Sequence, residues 1–338
     1  MIQTTLFISN QDQNRIKILG WLEQVSNDHP HDLHVVDIDK SPALLEEYAE
    51  KAPVLDIGVF RLVSPFDRAE IEFGFQKAEE RLREAITQEN DGMVKRITEP
   101  VRFTKSDRFS RWFSNHYMVF LNLFTGLYVL FAFMAPVFMK IGWEAPAKVI
   151  YKAYSPLCHQ LAFRSFFLFG AQPYYPRELA GMDGVITYGQ ATGFNEYDLE
   201  TARDFAGNDA MGYKVALCER DIAIYSAMLL FGLIYGLTGR KIKPLPWLLW
   251  ILIGLGPIGL DGFSQLLSQT GWGIFSWLPL RESTPFLRAL TGACFGLATA
   301  WFGYPYIEES VQENRRDMEL KYAVSEQITE DNDGQADL

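Results

Sequence analysis

Cysteine is nearly missing: the 338 residues hold three, and none lies before Cys158. That excludes a disulfide-dense secreted scaffold and a four-cysteine zinc module. Basic residues are also short, with 31 Lys and Arg against 42 Asp and Glu and a formal net charge of −11, which argues against nucleic acid as a partner. Residues 1–9 have no basic start followed by an apolar run, so no cleavable signal peptide is expected. Apolar residues are not scarce: they make up 48%, with 14% aromatic, too many for a disordered chain.

The charge is distributed in blocks. Residues 1–100 carry net −8, residues 101–306 net +4, and residues 307–338 net −7. Within the nearly neutral middle, four runs have no charged residue at all: 117–139, 222–239, 244–260 and 289–307. A helix needs about 20 apolar residues to cross the hydrocarbon core. The alternative, buried helices of a large soluble enzyme, would need four such runs in one part of a chain. Four transmembrane helices are therefore expected, at about 117–139, 222–239, 244–261 and 288–307. Lys105, Arg108, Arg111, Arg240, Lys241, Lys243, Arg315, Arg316 and Lys321 flank the span ends on one common side, and that side should be cytoplasmic. The chain then reads as a multi-pass protein of the plasma (inner) membrane with both termini inside. The lipid bilayer is its first partner, and residues 140–220 and 261–288 face outward.

The N-terminal 90 residues alternate strand and helix patterns. TTLFI at 4–8 and LHVVDI at 33–38 are β-rich, and Ile16, Ile18, Leu19, Leu22 and Val25 recur at helical spacing. Ser41-Pro42 is a helix start, Gly58 divides two short strands, and residues 68–85 form an amphipathic helix. The order βαβαββα fits a small sheet covered by helices. Residues 91–116 read as a charged linker, with Trp112, Phe113 and Tyr117 suited to the headgroup level. Through TLF, the VVDIDKSPALLEEYAEKAPVL block and the closing helix, the first 90 residues resemble the thioredoxin fold, and more closely the small glutaredoxin-like proteins. The resemblance implies a cytoplasmic domain with Ala52-Pro53 where that family keeps a cis proline. The family's redox Cys-x-x-Cys would fall at Ser9–Asn14, where there is no cysteine, and dithiol exchange needs one. A docking module that binds a protein partner beside Pro53 is one expectation, and a folded appendage the other.

Polar residues inside or beside spans need a reason, because burying them unpaired is costly. Three clusters stand out. Cys158-His159-Gln160 is followed by Arg164 and Ser165. Cys218-Glu219-Arg220-Asp221 precedes the second span. Asp261 and Gln265 share a helical face, followed by Arg281, Ser283, Arg288, Thr291 and the small-residue pair Gly292 and Gly296. Segment 147–170, interrupted by Lys148, Lys152, Pro156 and Arg164, reads as interfacial or re-entrant. All three clusters fall on the outward side. Cys-His-Gln with Arg-Ser, Cys-x-Arg-Asp, Asp-Gly-x-x-Gln and Arg-x-x-Thr-Gly-x-x-x-Gly, in this order over about residues 115–306, resemble an uncharacterised family of predicted prokaryotic membrane proteins. That resemblance implies membrane location and no activity. The insert 171–214 departs from shorter members. Its Asp198, Asp204 and Asp209 do not have calcium-loop spacing, and it reads as a solvated cap.

The fold expected is thus an α/β thioredoxin-like domain followed by an all-α bundle of four spans plus an interfacial or re-entrant segment, ending in an acidic cytoplasmic tail at 307–338, helical at first and disordered at 330–334. Three functions are expected in order. The first is a membrane scaffold or partner-binding subunit with a structural Cys158–Cys218 disulfide, no metal, and Cys294 as a core residue. The second is a membrane enzyme acting on an anionic, lipid-linked substrate through Arg164, Arg220, Asp221, Asp261, Gln265 and Arg288. The third is a zinc, iron or thiol-redox site at Cys158, His159 and Cys218, with Asp221 as a further ligand.

Overall fold

The first strand is built from apolar residues on both faces, since Ile2, Leu6, Phe7 and Ile8 are all buried. The computed structural model describes residues 1–270, 277 and 279–336, with side chains up to 330. It divides into one unit of residues 1–115 and 311–338 and a second of residues 116–310.

In the first unit the elements are β1 (Ile2–Ile8), α1 (Arg15–Val25), β2 (His31–Asp37), α2 (Pro42–Tyr48), β3 (Val54–Ile57), β4 (Phe60–Val63), α3 (Arg68–Thr87) and α4 (Asp91–Thr98). The sheet order is β2-β1-β3-β4, with β1 parallel to β2 and the other pairs antiparallel. The βαβαββα order read from the sequence is present. Pro42 opens α2 as expected, although the Ser41 side chain makes no cap bond. At α3, Asp67 accepts from the Glu70 N–H at 2.9 Å while the Glu70 carboxylate accepts from the Asp67 N–H at 2.9 Å, a reciprocal cap. Leu6, Ile8, Leu22, Leu55, Ile57, Ile71 and Phe75 form the core. The Ala52–Pro53 peptide is cis. The expected linker 91–116 is mostly helical, because Asn90 caps α4 and α5 (Lys105–Lys140) begins within it.

The acidic tail is not a solubilising extension with a disordered end. Helix α12 runs from Pro285 to Ala336, and its last part packs on the sheet unit. Ala323, Val324 and Ile328 are buried with Phe7, Val36, Ile38, Leu44, Tyr48 and Val54. The Gln327 amide accepts from the Asp37 N–H at 2.9 Å and donates to the Asp37 carbonyl at 3.0 Å. Ion pairs from Arg111 to Glu319 and from Lys321 to Asp107 flank the contact. The reason is an apolar stripe, Leu320, Ala323, Val324 and Ile328, at helical spacing inside a charged sequence.

The second unit contains the rest of α5, α6 (Glu144–Tyr154), β5 (Ser165–Leu168), α7 (Tyr188–Thr192), α8 (Leu199–Asp204), β6 (Gly207–Asn208), β7 (Gly212–Cys218), α9 (Glu219–Leu237), α10 (Trp247–Leu249), a π-helical stretch at Trp250–Leu255, α11 (Gly256–Gln269) and the first part of α12. Among the described residues three helices are long and apolar enough to cross a membrane: Lys105–Lys140, Glu219–Leu237 and Trp247–Gln269. Segment 288–307, the fourth expected span, is helical inside α12 but is diluted by Arg288 and by small and polar residues. The wide turn at 250–255 precedes Pro257, which has no N–H to give an ordinary helix bond. Asp261 lies within the helical stretch Trp247–Gln269 and not at its end.

Segment 147–170 is not one re-entrant piece. Pro156 follows the end of α6, the chain turns at Gln160 with φ +53°, and Ser165–Leu168 becomes a strand paired with β7 in a three-stranded sheet of order β5-β7-β6. The insert packs Tyr175, Tyr188, Ala202 and Met211 against Phe163 and Phe167, which precede it. The small-residue expectation holds: a Cβ on Gly292 would fall 2.6 Å from the Arg220 carbonyl, and one on Gly296 2.2 Å from that of Ile224. Only glycine allows α12 this approach to α9.

Val324→Asp should release the tail helix, because it buries a carboxylate without a partner. Trypsin should then cut at Lys321 faster than in wild type, whereas Glu326→Ala, at an exposed position, should leave the rate unchanged. Equal cutting of all three proteins would contradict the docked tail.

Candidate functional site

The polar clusters of the second unit come together around one buried carboxylate. Glu282, in the segment before α12, has 0% side-chain exposure and pairs with three arginines. Arg164, at the end of a short 3₁₀ turn, donates to it at 2.9 Å, Arg288 of α12 donates as well, and Arg177 of the insert makes a short contact with its other oxygen. Arg288 also donates to Glu219, at 3.1 Å, and to the Phe163 carbonyl, at 3.3 Å. Arg177 lies over the Phe163 ring, 4.6 Å from its centroid. Burial resists ionisation of Glu282, but Arg164, Arg288 and Arg177 outweigh it and hold the carboxyl below its usual range.

A second group is centred on Asp261, also nearly fully buried. It accepts from Arg281 at 2.7 Å, from Ser283 at 2.8 Å, and from Arg220 at the start of α9. Gln265 is buried one turn further along α11. Across both groups five guanidinium groups, those of Arg164, Arg177, Arg220, Arg281 and Arg288, meet three carboxylates. Among the described residues, the buried Nε atoms of Arg177 and Arg220 and one oxygen of Glu219 find no hydrogen-bond partner.

The thiols lie beside this network. Ser165 pairs with Cys218 at the end of the β5–β7 ladder, and Cys218 is also the N-cap of α9. The turn after α6 brings Cys158 there, so that its Sγ accepts from the Cys218 N–H at 3.3 Å while the Cys218 Sγ accepts from the Asp221 N–H at 3.4 Å. The expected Cys158–Cys218 disulfide is not formed: both residues are free thiols, as is Cys294. A disulfide needs sulfurs about 2.05 Å apart, and here the sulfurs serve as hydrogen-bond acceptors. The hydrogen bond between the thiols lowers Cys158 from the ordinary thiol value, against burial. It also pushes Cys218 well above that value, with burial adding to the effect.

The Cys158, Cys218 and Asp221 donor atoms all lie within 4.8 Å of one another. His159 is exposed and is not part of that group, whereas Asp221, expected as the further ligand, is.

A cavity of about 600 Å³ opens against these residues. Cys158, His159, Cys218, Asp221 and the arginines Arg164, Arg177 and Arg220 are among the residues that line it. The expected arginine pocket thus divides: Arg164 and Arg220 face the cavity, while Asp261, Gln265 and Arg288 stand outside its wall. Three participants were not singled out in the sequence, namely Glu282, Arg177 and Lys214. Glu282 and Arg177 read there as ordinary loop charges, and the one signal was that Glu282 sits between Arg281 and Ser283. Lys214 of β7 is almost fully buried, and its ammonium donates to the Gln160 carbonyl at 2.8 Å and to that of Arg203, tying the turn that carries Cys158. Burial pulls it down to about 7, with Asp204 and Cys158 opposing.

Residues 209–302 match the model of a family described as "Predicted membrane protein (DUF2085)". An uncharacterised protein of Methanocaldococcus jannaschii is 26% identical over 205 residues, covering 58% of this chain and 95% of that one. No solved structure gives a significant match. The chain is therefore similar to predicted membrane proteins of unknown activity, and the matched stretch includes Cys218 to Asp221, Asp261, Glu282 and Arg288.

Glu282→Gln leaves three arginines facing a neutral group and should cost about 3–5 kcal/mol, read as a lowered melting temperature in detergent. Glu200→Gln, at an exposed position, should stay within about 0.5 kcal/mol. Equal melting of the two variants would show that Glu282 is not the central tie. Lys214 generates a pH dependence. Its folded pKa, about 7, is below the unfolded value of about 10.4, so between the two the unfolded chain binds the extra proton. Wild type should gain stability relative to Lys214→Met as pH rises from about 7 towards 10, and parallel curves would contradict this.

Proposed function

We propose that this chain is a multi-pass membrane protein that binds and acts on an anionic, phosphate-bearing substrate in the cavity walled by Arg164, Arg177 and Arg220. One observation carries the reading: three arginines from separate elements converge on one open cavity together with two thiols and a carboxylate. Guanidinium groups suit the planar, multidentate recognition of phosphate. Their excess over the carboxylates behind them, with two buried Nε atoms lacking partners, leaves positive charge for a ligand to neutralise.

With segment 288–307 as a fourth span, both termini are cytoplasmic and the cavity faces outward, as the flanking basic residues favour. A lipid-linked phosphate would meet it at the outer leaflet. The first unit is a cysteine-free, thioredoxin-like platform, a reading supported by its sheet order and its parallel β1–β2 pair. Its docked occupant is the chain's own tail helix. Asp221 is the carboxylate at the cavity wall suited to moving a proton, and Asp261 and Glu282 hold arginines in position.

A non-catalytic scaffold has one observation in its favour, since every cavity arginine already holds a carboxylate. Calorimetry on the purified full-length protein with inorganic phosphate and with short-chain phosphatidic acid separates the readings. The substrate reading predicts binding of at least the lipid phosphate. It also predicts a roughly tenfold loss, about 1.4 kcal/mol, in Arg164→Gln and little change in Arg281→Gln, which is off the cavity. Absence of binding by both probes to the wild type would leave the scaffold.

A further inference from the structure

The thiols beside the cavity call for a role of their own. Two free cysteines 60 positions apart in sequence are brought against each other, and a carboxylate completes a compact group of three donors. We propose that Cys158, Cys218 and Asp221 bind a single zinc ion as a three-ligand site whose fourth position opens into the cavity. The proposal deepens the substrate reading and rests on the same cavity.

Five features support it. Sulfur plus carboxylate is an accepted zinc donor set, and three protein ligands with one open position is the arrangement of catalytic rather than structural zinc. Zinc–sulfur bonds near 2.3 Å put the two sulfurs of a tetrahedral site roughly 3.5–4 Å apart, a spacing compatible with donors already within 4.8 Å of one another. The scaffold fixes each donor: the β5–β7 ladder ends at Cys218, the first turn of α9 carries Asp221, and Lys214 ties the turn bearing Cys158 through the Gln160 carbonyl. Backbone N–H groups of Cys218 and Asp221 already point at the sulfurs, the kind of outer contact that orients thiolate ligands and tunes the metal. Two thiolates and a carboxylate around a divalent ion leave one negative charge, and Arg164 and Arg220 on the same cavity wall balance it. Zinc binding releases the thiol protons to solvent and needs no oxidant or reductant. His159 lines the same cavity and is not one of the three donors.

The test is made on the full-length protein in detergent. Elemental analysis after reconstitution with zinc and removal of excess should give about one zinc per chain in wild type and in Cys294→Ser. Cys218→Ser and Asp221→Asn should lose it. Because such variants could fail to fold, zinc is also titrated into the metal-free wild type while alkylation of each cysteine is followed by peptide mass mapping. Zinc should shield Cys158 and Cys218 and leave Cys294 unchanged. Three results would overturn the proposal: no bound zinc, equal shielding of all three thiols, or a Cys158–Cys218 disulfide in protein isolated without reductant. Phosphate or lipid-phosphate binding by the metal-free protein is scored separately. Phosphate binding together with failure to take up zinc on reconstitution ends the metal site and keeps the cavity reading, and zinc uptake without phosphate binding does the reverse.

Discussion

The second unit depends on one buried carboxylate held by three arginines. Glu282 has no exposed surface and would be intolerable there alone, since an unpaired charge costs many kcal/mol in such surroundings. Its partners come from different parts of the chain: Arg164 before β5, Arg177 in the insert and Arg288 one turn into α12. Satisfying Glu282 therefore fixes three segments at once. Arg288 passes the constraint on to Glu219, the first residue of α9, and α9 in turn carries Arg220 to Asp261 inside α11. The glycines of α12 that allow backbone contact with α9 complete the same assembly through packing.

The cavity follows from this arrangement. Arg164, Arg177 and Arg220 are each anchored by a carboxylate behind them, and each still contributes to the cavity wall. Guanidinium groups held from the rear lose little freedom when they meet an anion, which is the physical advantage of preorganisation. Cys158, Cys218 and Asp221 share that wall because the β5–β7 ladder and the start of α9 end at one place. The proposed metal-binding and anion-binding roles thus rest on one structural arrangement and have separable chemistry.

Much of this was legible in the sequence. Period-two and helical patterns located the N-terminal strands and helices, and uncharged runs located three apolar helices. Cys158, Cys218, Arg164, Arg220, Asp221, Asp261 and Arg288 stood out as polar residues beside those runs. What was not legible depends on distant contacts. Glu282 and Arg177 look like solvated loop charges until the insert folds over them, and Lys214 looks like a strand-edge lysine. The disulfide was inferred from two cysteines near a membrane boundary, and composition cannot say whether two sulfurs bond or share hydrogen bonds. The dense charges of the tail read as a solvated end, although Leu320, Ala323, Val324 and Ile328 mark an apolar face. Segment 147–170 shows its interruptions at Lys148, Lys152, Pro156 and Arg164 in the sequence, but these do not tell that a strand pairing with β7 follows.

The central claim is that the thiol pair and Asp221 are a metal centre facing the arginine cavity, and X-ray absorption at the zinc edge on the purified full-length protein tests it most directly. The account predicts two sulfur neighbours at about 2.3 Å together with oxygen neighbours at about 2.0–2.2 Å. A zinc shell made only of oxygen and nitrogen would contradict it, and the cysteines would then be no more than buried packing beside a network of ion pairs.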